Sequence, residues 1–187
     1  MKKLIRFFVA SFMIIAFALP AKAQYITVDF MRYDITSTQE TAWMKGYDTS
    51  GNQLWYYQCT YLDKAQLPRI SWIGVNNELV YFVEDGDIVA LDLGTGYEKW
   101  RNKDFGGSPA EKAFVFSSSG KLYISGYYGP DFFVVDKNGK TIAKRQSMTN
   151  GKSYWPWKME FLNGDMMRIY YESDDSYVDF DVTDYFN

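Results

Sequence analysis

The chain has 187 residues, 47% of them hydrophobic and 19% aromatic, with 20 lysines and arginines against 23 aspartates and glutamates. A net charge of −3 does not supply the basic field that binding to a polyanion requires, so we expect no nucleic-acid partner. Histidine is absent from the sequence, which excludes Ser-His-Asp and Cys-His catalysis and histidine-based zinc sites.

The N-terminal segment has the pattern of a secretory signal peptide. Basic residues precede an apolar run at 7–19, and small residues at 21 and 23 form a cleavage motif. The apolar run is too short to cross roughly 30 Å of hydrocarbon. We therefore predict a signal peptide at 1–23, a single domain at 24–187, no membrane span, and a periplasmic or secreted location. The basic residues of this segment leave with it, so the exported chain is more acidic than the whole.

The rest of the sequence reads as short strands and tight turns that repeat. It is rich in Tyr, Val, Ile and Phe, interrupted by glycine-containing turns, which is typical of β-structure. An apolar strand ending in aspartate recurs about every 44 residues, at Asp48, Asp92, Asp136 and Asp181. The repeat units lie approximately at 24–60, 69–104, 111–147 and 154–187. Each unit is expected to form a four-stranded antiparallel meander.

A glycine turn and then a tryptophan follow these aspartates. The glycines are Gly51, Gly96 and Gly139, and the tryptophans are Trp55 and Trp100 in the first two units. We expect each aspartate to accept hydrogen bonds from the amides of its turn, and each tryptophan to pack between neighbouring sheets. A unit of about 44 residues with four short strands is the size of one β-propeller blade.

The stretch ALDLGTGYEKW at 90–100 resembles the A-L-D-x-x-T-G-x-x-x-W signature of the PQQ-like (quinoprotein-type) β-propeller repeat family, with Thr95 at the threonine position. The stretch YDTSGNQLW at 47–55 is similar to a shorter copy. The resemblance implies an all-β propeller of about four four-stranded blades, in a short non-enzymatic member of the family. The resemblance also implies a ring of eight blades for the family's quinone enzymes, whereas this chain has four units. The four units would therefore either close on themselves or form half of a larger ring by dimerisation. A monomer and a homodimer both fit.

Four aromatic residues stand out as candidates for binding a partner. Trp155 and Trp157 flank a proline just before the fourth unit, and Tyr127 and Tyr128 occupy an aligned loop of the third. Together they would form an aromatic platform for a sugar ring or a peptide. The alternative is packing between blades, with a tryptophan pointing inward from a strand at 154–162.

Other candidate sites are weaker. The single cysteine, Cys59, lies in an apparent strand with no evident base, which favours an ordinary buried side chain. Acidic residues at 172–184 could hold calcium or act as paired carboxylates, although a solvated loop explains them as well. Bound PQQ would need a central cation and polar ligands, and the polar run at 101–104 forms no recognised motif. We therefore assign no catalytic residue, no metal ligand and no cofactor. Binding of PQQ or calcium is the alternative to the absence of a cofactor.

These patterns favour an exported, non-catalytic propeller scaffold that binds a protein or glycan partner in the cell envelope. Fixed strands would present loops and exposed aromatic side chains to that partner. Two alternatives stay open. One is an enzyme that uses PQQ or carboxylate chemistry, and the other is a carbohydrate-binding module.

Overall fold

The computed structural model describes residues 25–64, 69–110, 112–149, 155–172 and 176–186. The predicted signal peptide at 1–23 lies outside these ranges. Within them the chain forms fifteen β-strands and one short 3-10 helix, η1 (Val182–Tyr185). The strands are β1 (Thr27–Asp34), β2 (Gln39–Tyr47), β3 (Gln53–Gln58), β4 (Leu62–Asp63), β5 (Ile70–Asn76), β6 (Leu79–Glu84), β7 (Asp87–Asp92), β8 (Glu98–Asn102), β9 (Phe114–Phe116), β10 (Leu122–Ile124), β11 (Phe132–Val135), β12 (Thr141–Arg145), β13 (Pro156–Asn163), β14 (Met166–Tyr171) and β15 (Tyr177–Asp181). No helix of the described ranges has the length and apolarity to span a bilayer.

Consecutive strands pair in antiparallel fashion into four sheets that follow one another along the chain. Sheet one has the order β1-β2-β3 with β4 also paired to β2, sheet two is β5-β6-β7-β8, sheet three is β9-β10-β11-β12 and sheet four is β13-β14-β15. This arrangement confirms the predicted fold class. The chain is all-β and consists of about four antiparallel blades of the β-propeller type.

The two end sheets depart from the expected four-stranded pattern. In sheet one, β3 and β4 lie one after the other on the same edge of β2, so the sheet has three strand positions. Among the described residues sheet four stops at β15, and η1 follows where an outer strand would begin. When the strands β2, β7, β11 and β15, each of which leads to a repeated aspartate, are aligned, the described part of sheet one has no first strand of the repeat and that of sheet four has no last strand.

The core consists of three apolar clusters, one at each junction between successive sheets. Main members of the clusters are, in order, Met44, Trp55, Phe82 and Leu91 at the first junction, Tyr81, Ile88, Leu122 and Phe133 at the second, and Phe132, Met167, Ile169 and Phe180 at the third. Neighbours such as Tyr81 and Phe82 belong to different clusters because successive side chains of a strand point to opposite faces. Sheets two and three are therefore buried on both faces.

The outer faces of sheets one and four are not covered by another sheet among the described residues, since no apolar cluster there joins these two sheets. On sheet one this face presents Leu54 and Tyr56, which are 40% and 49% exposed. On sheet four it presents Arg168, which donates to both carboxylate oxygens of Asp179 at 2.6 and 2.7 Å. As far as the described residues go, the four sheets thus form an array with two uncovered end faces.

Candidate functional site

Four side chains from neighbouring sheets meet at one rim of the molecule. We call Tyr127, Tyr128, Trp155 and Glu172 the aromatic cluster. The two tyrosines lie in the loop between β10 and β11, Trp155 directly precedes β13, and Glu172 directly follows β14. Because β13 and β14 run antiparallel, the start of one lies beside the end of the other. The Glu172 N–H accordingly donates to the Trp155 carbonyl at 3.0 Å, which ties the two residues together.

The loop that carries the two tyrosines is held by its backbone. The Tyr127 N–H donates to the Ser108 carbonyl at 2.7 Å, and the Ser108 N–H donates to the Tyr128 carbonyl at 2.9 Å. Gly129 has a φ of 113°, and a β-carbon there would lie 2.7 Å from the Cα of Gly107. Such an approach of two backbones requires glycine. The tyrosines are therefore presented on a tightly packed turn.

The base of this loop contains a buried carboxyl group. Asp131 is 7% exposed, and its Oδ2 accepts from the Met148 N–H at 3.0 Å and from the Tyr171 hydroxyl at 3.2 Å. Burial raises the pKa of the Asp131 carboxyl, although both hydrogen bonds act in the opposite direction. The Ser125 hydroxyl donates to the Asp131 carbonyl. These contacts fix the base of the tyrosine loop.

The aromatic rings of the cluster contact one another directly. Tyr127 stacks on Trp155 with ring centroids 5.1 Å apart and an interplanar angle of 22°. Tyr128 meets Tyr127 edge-on, at 5.6 Å and 84°. The Tyr127 hydroxyl donates to the Glu172 Oε2 at 2.8 Å, and this bond raises the pKa of the Tyr127 phenol. Trp155 and Tyr128 are each 46% exposed, so the rings form a surface as well as a packing contact.

The structure thus brings together three of the four aromatic residues that the sequence singles out. Trp157 lies elsewhere, with its ring centroid 6.2 Å from that of Tyr170. A bulge between Pro156 and Lys158 interrupts the alternation of β13 at this point. The sequence reasoning missed the role of Glu172. The available signal was position, since Tyr127 and Glu172 both follow the second strand of adjacent repeats and so reach the same rim.

The two signature tryptophans lie at the first two junctions between sheets. The Trp55 indole N–H donates to the Leu93 carbonyl at 2.7 Å, and the Trp100 indole N–H donates to the Lys137 carbonyl at 2.9 Å. Each ring covers a glycine of the next repeat. A β-carbon at Gly96 would lie 2.7 Å from the Trp55 ring, and one at Gly139 would lie 2.6 Å from the Trp100 ring. The equivalent Gly51 has nothing within 4 Å.

The repeated aspartates organise the turns that carry these glycines. The Asp92 Oδ1 accepts from the Gly94 and Thr95 amides at 3.1 and 2.9 Å and from the Thr95 hydroxyl at 2.8 Å. Asp48 and Asp136 accept from two turn amides each, and Asp181 accepts from Thr183 at the start of η1. Hydrogen bonds from Asn52 and from Thr183 lower the pKa values of the Asp48 and Asp181 carboxyls, respectively. The signature residues therefore contribute to the framework and lie outside the aromatic cluster.

Three of the polar residues at 101–104 have partners within the chain. Arg101 donates to Glu84 at 2.6 Å and to Glu98 at 2.9 Å. Asn102 donates to the Gly139 carbonyl at 2.9 Å, and Asp104 accepts from the Thr141 hydroxyl at 2.6 Å. These groups join sheets two and three or neutralise a buried carboxylate.

The acidic C-terminal residues have separate partners. Asp174 and Asp175 lie outside the described residues. Asp179 pairs with Arg168, and Asp181 caps η1. Within the described ranges, no group of three or more potential metal ligands comes together.

Comparison with known proteins gives a distant likeness only. No family model matches the chain, and no curated protein matches it. Among solved structures, the crystal structure of BamB from Moraxella catarrhalis resembles it, with 17% identity and a TM-score of 0.49 over 78% of this chain and 42% of that chain. The chain thus spans less than half the length of that protein. The narrower assignment to PQQ-like repeats remains a resemblance.

Proposed function

We propose that the chain is an exported, non-catalytic propeller scaffold that binds a protein or glycan partner through the aromatic cluster. The observation that carries this proposal is the meeting of Tyr127, Tyr128 and Trp155 at one rim, with Trp155 and Tyr128 46% exposed. Tyrosine and tryptophan are the residues that most often supply the contact energy of recognition surfaces. They lose little conformational entropy on binding because the loop is already fixed.

The rigidity of the site supports binding by pre-organised recognition. Backbone hydrogen bonds hold the tyrosine loop to Ser108, and the Glu172 N–H holds Trp155 across sheet four. Contiguous apolar surface that stays exposed to water often marks an interaction site, so a binding role explains why these aromatic rings lie exposed on a fixed turn. We propose a location in the periplasm or outside the cell, on the basis of the N-terminal sequence pattern.

An enzymatic role for the single cysteine has little support. Cys59 is 2% exposed, and burial together with the nearby Glu84 carboxylate raises the pKa of its thiol. A thiol held in its protonated form is a poor nucleophile.

The proposal is tested by comparing the wild-type chain with Trp155→Ala in two assays. One is retention in polyacrylamide gels that contain soluble polysaccharides, and the other is recovery of envelope proteins on the immobilised chain. Tyr97→Ala is the matched control, since Tyr97 is 77% exposed and lies in a turn of sheet two. We expect Trp155→Ala to lower binding about tenfold in one of the two assays, and the control to leave it unchanged. Equal binding by all three proteins in both assays would refute the proposal.

A further inference from the structure

Two aromatic rings on the end sheets of this chain are paired with cations of the chain itself. The Lys45 ammonium lies 4.3 Å from the centre of the Trp43 ring on the outer face of sheet one. The Arg168 guanidinium lies 3.8 Å from the centre of the Tyr177 ring on sheet four. Rings of this kind attract cations because the face of the π-system is negative, and tryptophan attracts them most strongly.

The central rings of the aromatic cluster differ from these two in their contacts with the described residues. Within the described ranges, no lysine or arginine lies over the ring of Trp155 or of Tyr127. The Glu172 carboxylate is also in no ion pair there, and its side-chain partner is the neutral Tyr127 hydroxyl at 2.8 Å. The cluster therefore combines an open, electron-rich ring with a carboxylate that no positive charge of the described chain neutralises.

We propose that the partner is a basic protein segment that places an arginine side chain on the aromatic cluster, with its guanidinium over Trp155 and toward the Glu172 carboxylate. This inference rests on the proposed function and names the chemistry of the partner. Tyr127 covers one face of the indole at 5.1 Å, so the guanidinium would stack on the opposite face and extend an existing pair of nearly parallel planes.

Arginine fits this site better than lysine or a sugar. Its guanidinium is planar, stays charged at every physiological pH, stacks on aromatic faces and donates hydrogen bonds to a carboxylate in a fixed geometry. A neutral sugar would gain from the ring but would not neutralise Glu172. The acidic net charge of the chain, −3 before the basic N-terminal segment is removed, also favours the approach of a basic segment.

The test uses a matched pair of short glycine-rich peptides. One carries two arginines, and the other carries citrulline at both positions, which keeps the shape and removes the charge. The readout is the NMR signal of each indole N–H in the whole chain, which has six tryptophans. The Trp155 signal is assigned as the one that Trp155→Ala removes.

We expect the arginine peptide, at millimolar concentration, to shift the Trp155 signal and the citrulline peptide to leave it in place. Glu172→Gln should weaken binding of the arginine peptide about tenfold, because the guanidinium loses a negatively charged hydrogen-bond acceptor. Glu78→Gln is the matched control, since Glu78 is an exposed glutamate in a turn of sheet two. It should leave the affinity unchanged.

The outcomes separate this inference from the proposed function. Equal shifts with both peptides, or an unchanged affinity in Glu172→Gln, would overturn the arginine assignment. If neither peptide acts but Trp155→Ala still abolishes polysaccharide retention, the site binds a glycan, so the proposed function stands and this inference fails. If Trp155→Ala changes no binding of any kind, both are wrong.

Discussion

The indole ring of Trp55 lies against Gly96 of the following repeat, so closely that a β-carbon on the glycine would be 2.7 Å from the ring. The indole N–H donates to the Leu93 carbonyl at 2.7 Å, three residues before the same glycine. Tryptophan and glycine are therefore two halves of one contact between sheets one and two. This contact gives the repeated sequence signature its physical meaning.

Gly96→Ala should destabilise the chain by about 3 kcal/mol. The substitution adds a β-carbon inside the contact distance of Trp55 and places it at a φ of 70°, where side chains are strained. Urea unfolding followed by tryptophan fluorescence measures the loss. Gly51→Ala is the matched control, because Gly51 has a φ of 80° but nothing within 4 Å. It should cost only about 1 kcal/mol, from backbone strain. Equal losses would show that the tryptophan contact contributes nothing.

Arg101→Met should also destabilise the chain, by about 3 kcal/mol or more. It leaves the Glu84 carboxylate, whose side chain is 3% exposed, without its positively charged partner at 2.6 Å. Arg168→Met removes the Asp179 partner on the exposed face of sheet four and should have a small effect by comparison, since water and salt screen that pair. Chemical denaturation of the two variants side by side provides the measurement. Similar losses of stability in the two variants would contradict the claim that the buried Arg101–Glu84 pair contributes more than the exposed pair.

The Asp131 carboxyl group should make the free energy of unfolding fall as the pH rises. Its pKa in the folded chain is raised by burial, so between the unfolded pKa of about 4 and the folded pKa the native state binds more protons than the unfolded state. Stability from this group is full below about pH 4 and falls as pH increases through the folded pKa. Asp131→Asn removes that dependence. The difference in free energy of unfolding between variant and wild type, measured from pH 3 to pH 8, should therefore shift in favour of the variant as the pH rises, and a flat difference would contradict the assignment.

Cys59 should resist thiol reagents in the folded chain. Burial raises the pKa of its thiol and the side chain is 2% exposed, so little thiolate is available for attack. A disulfide reagent that releases a coloured thiolate should label it only when the chain unfolds. Stoichiometric labelling within seconds in buffer, matching the rate in denaturant, would contradict this.

The chain should be a monomer in solution. The outer face of sheet four satisfies its charges within itself, through the Arg168–Asp179 pair and the Lys158–Glu160 pair at 2.6 Å. The position at Gly51 on sheet one receives no tryptophan from the part of the chain that the structure describes. Light scattering coupled to size exclusion gives the mass. A stable dimer would instead support two chains forming a larger ring.

Much of the architecture could be predicted because the repeated positions hold residues that each have one strong conformational preference. Asp92 and Gly96 fix the turn, and the period of about 44 residues fixes the strand count of the middle blades. The end blades were less predictable, since the position of β4 beside β2 depends on pairing that no turn residue marks. Two features of the site did not follow from the residue pattern alone. A bulge next to Trp157 interrupts the alternation of β13, and the bond between Tyr127 and Glu172 depends on the direction of one hydroxyl group, although the positions of both residues in the repeat indicated the same rim.

The tryptophan contact has a polarity, because the ring always comes from the earlier sheet and the glycine from the later one. A duplicated unit inserted at the first or second junction would bring its own ring and its own glycine, so the array could lengthen there without a new interface. The third junction follows a different rule. Ala143 stands at the tryptophan position, and Tyr185 and Phe186, which follow sheet four, pack against the apolar cluster at this junction. Growth of such a protein by gene duplication would therefore be confined to its N-terminal half, while its C-terminal half, with the aromatic cluster, would keep one fixed form.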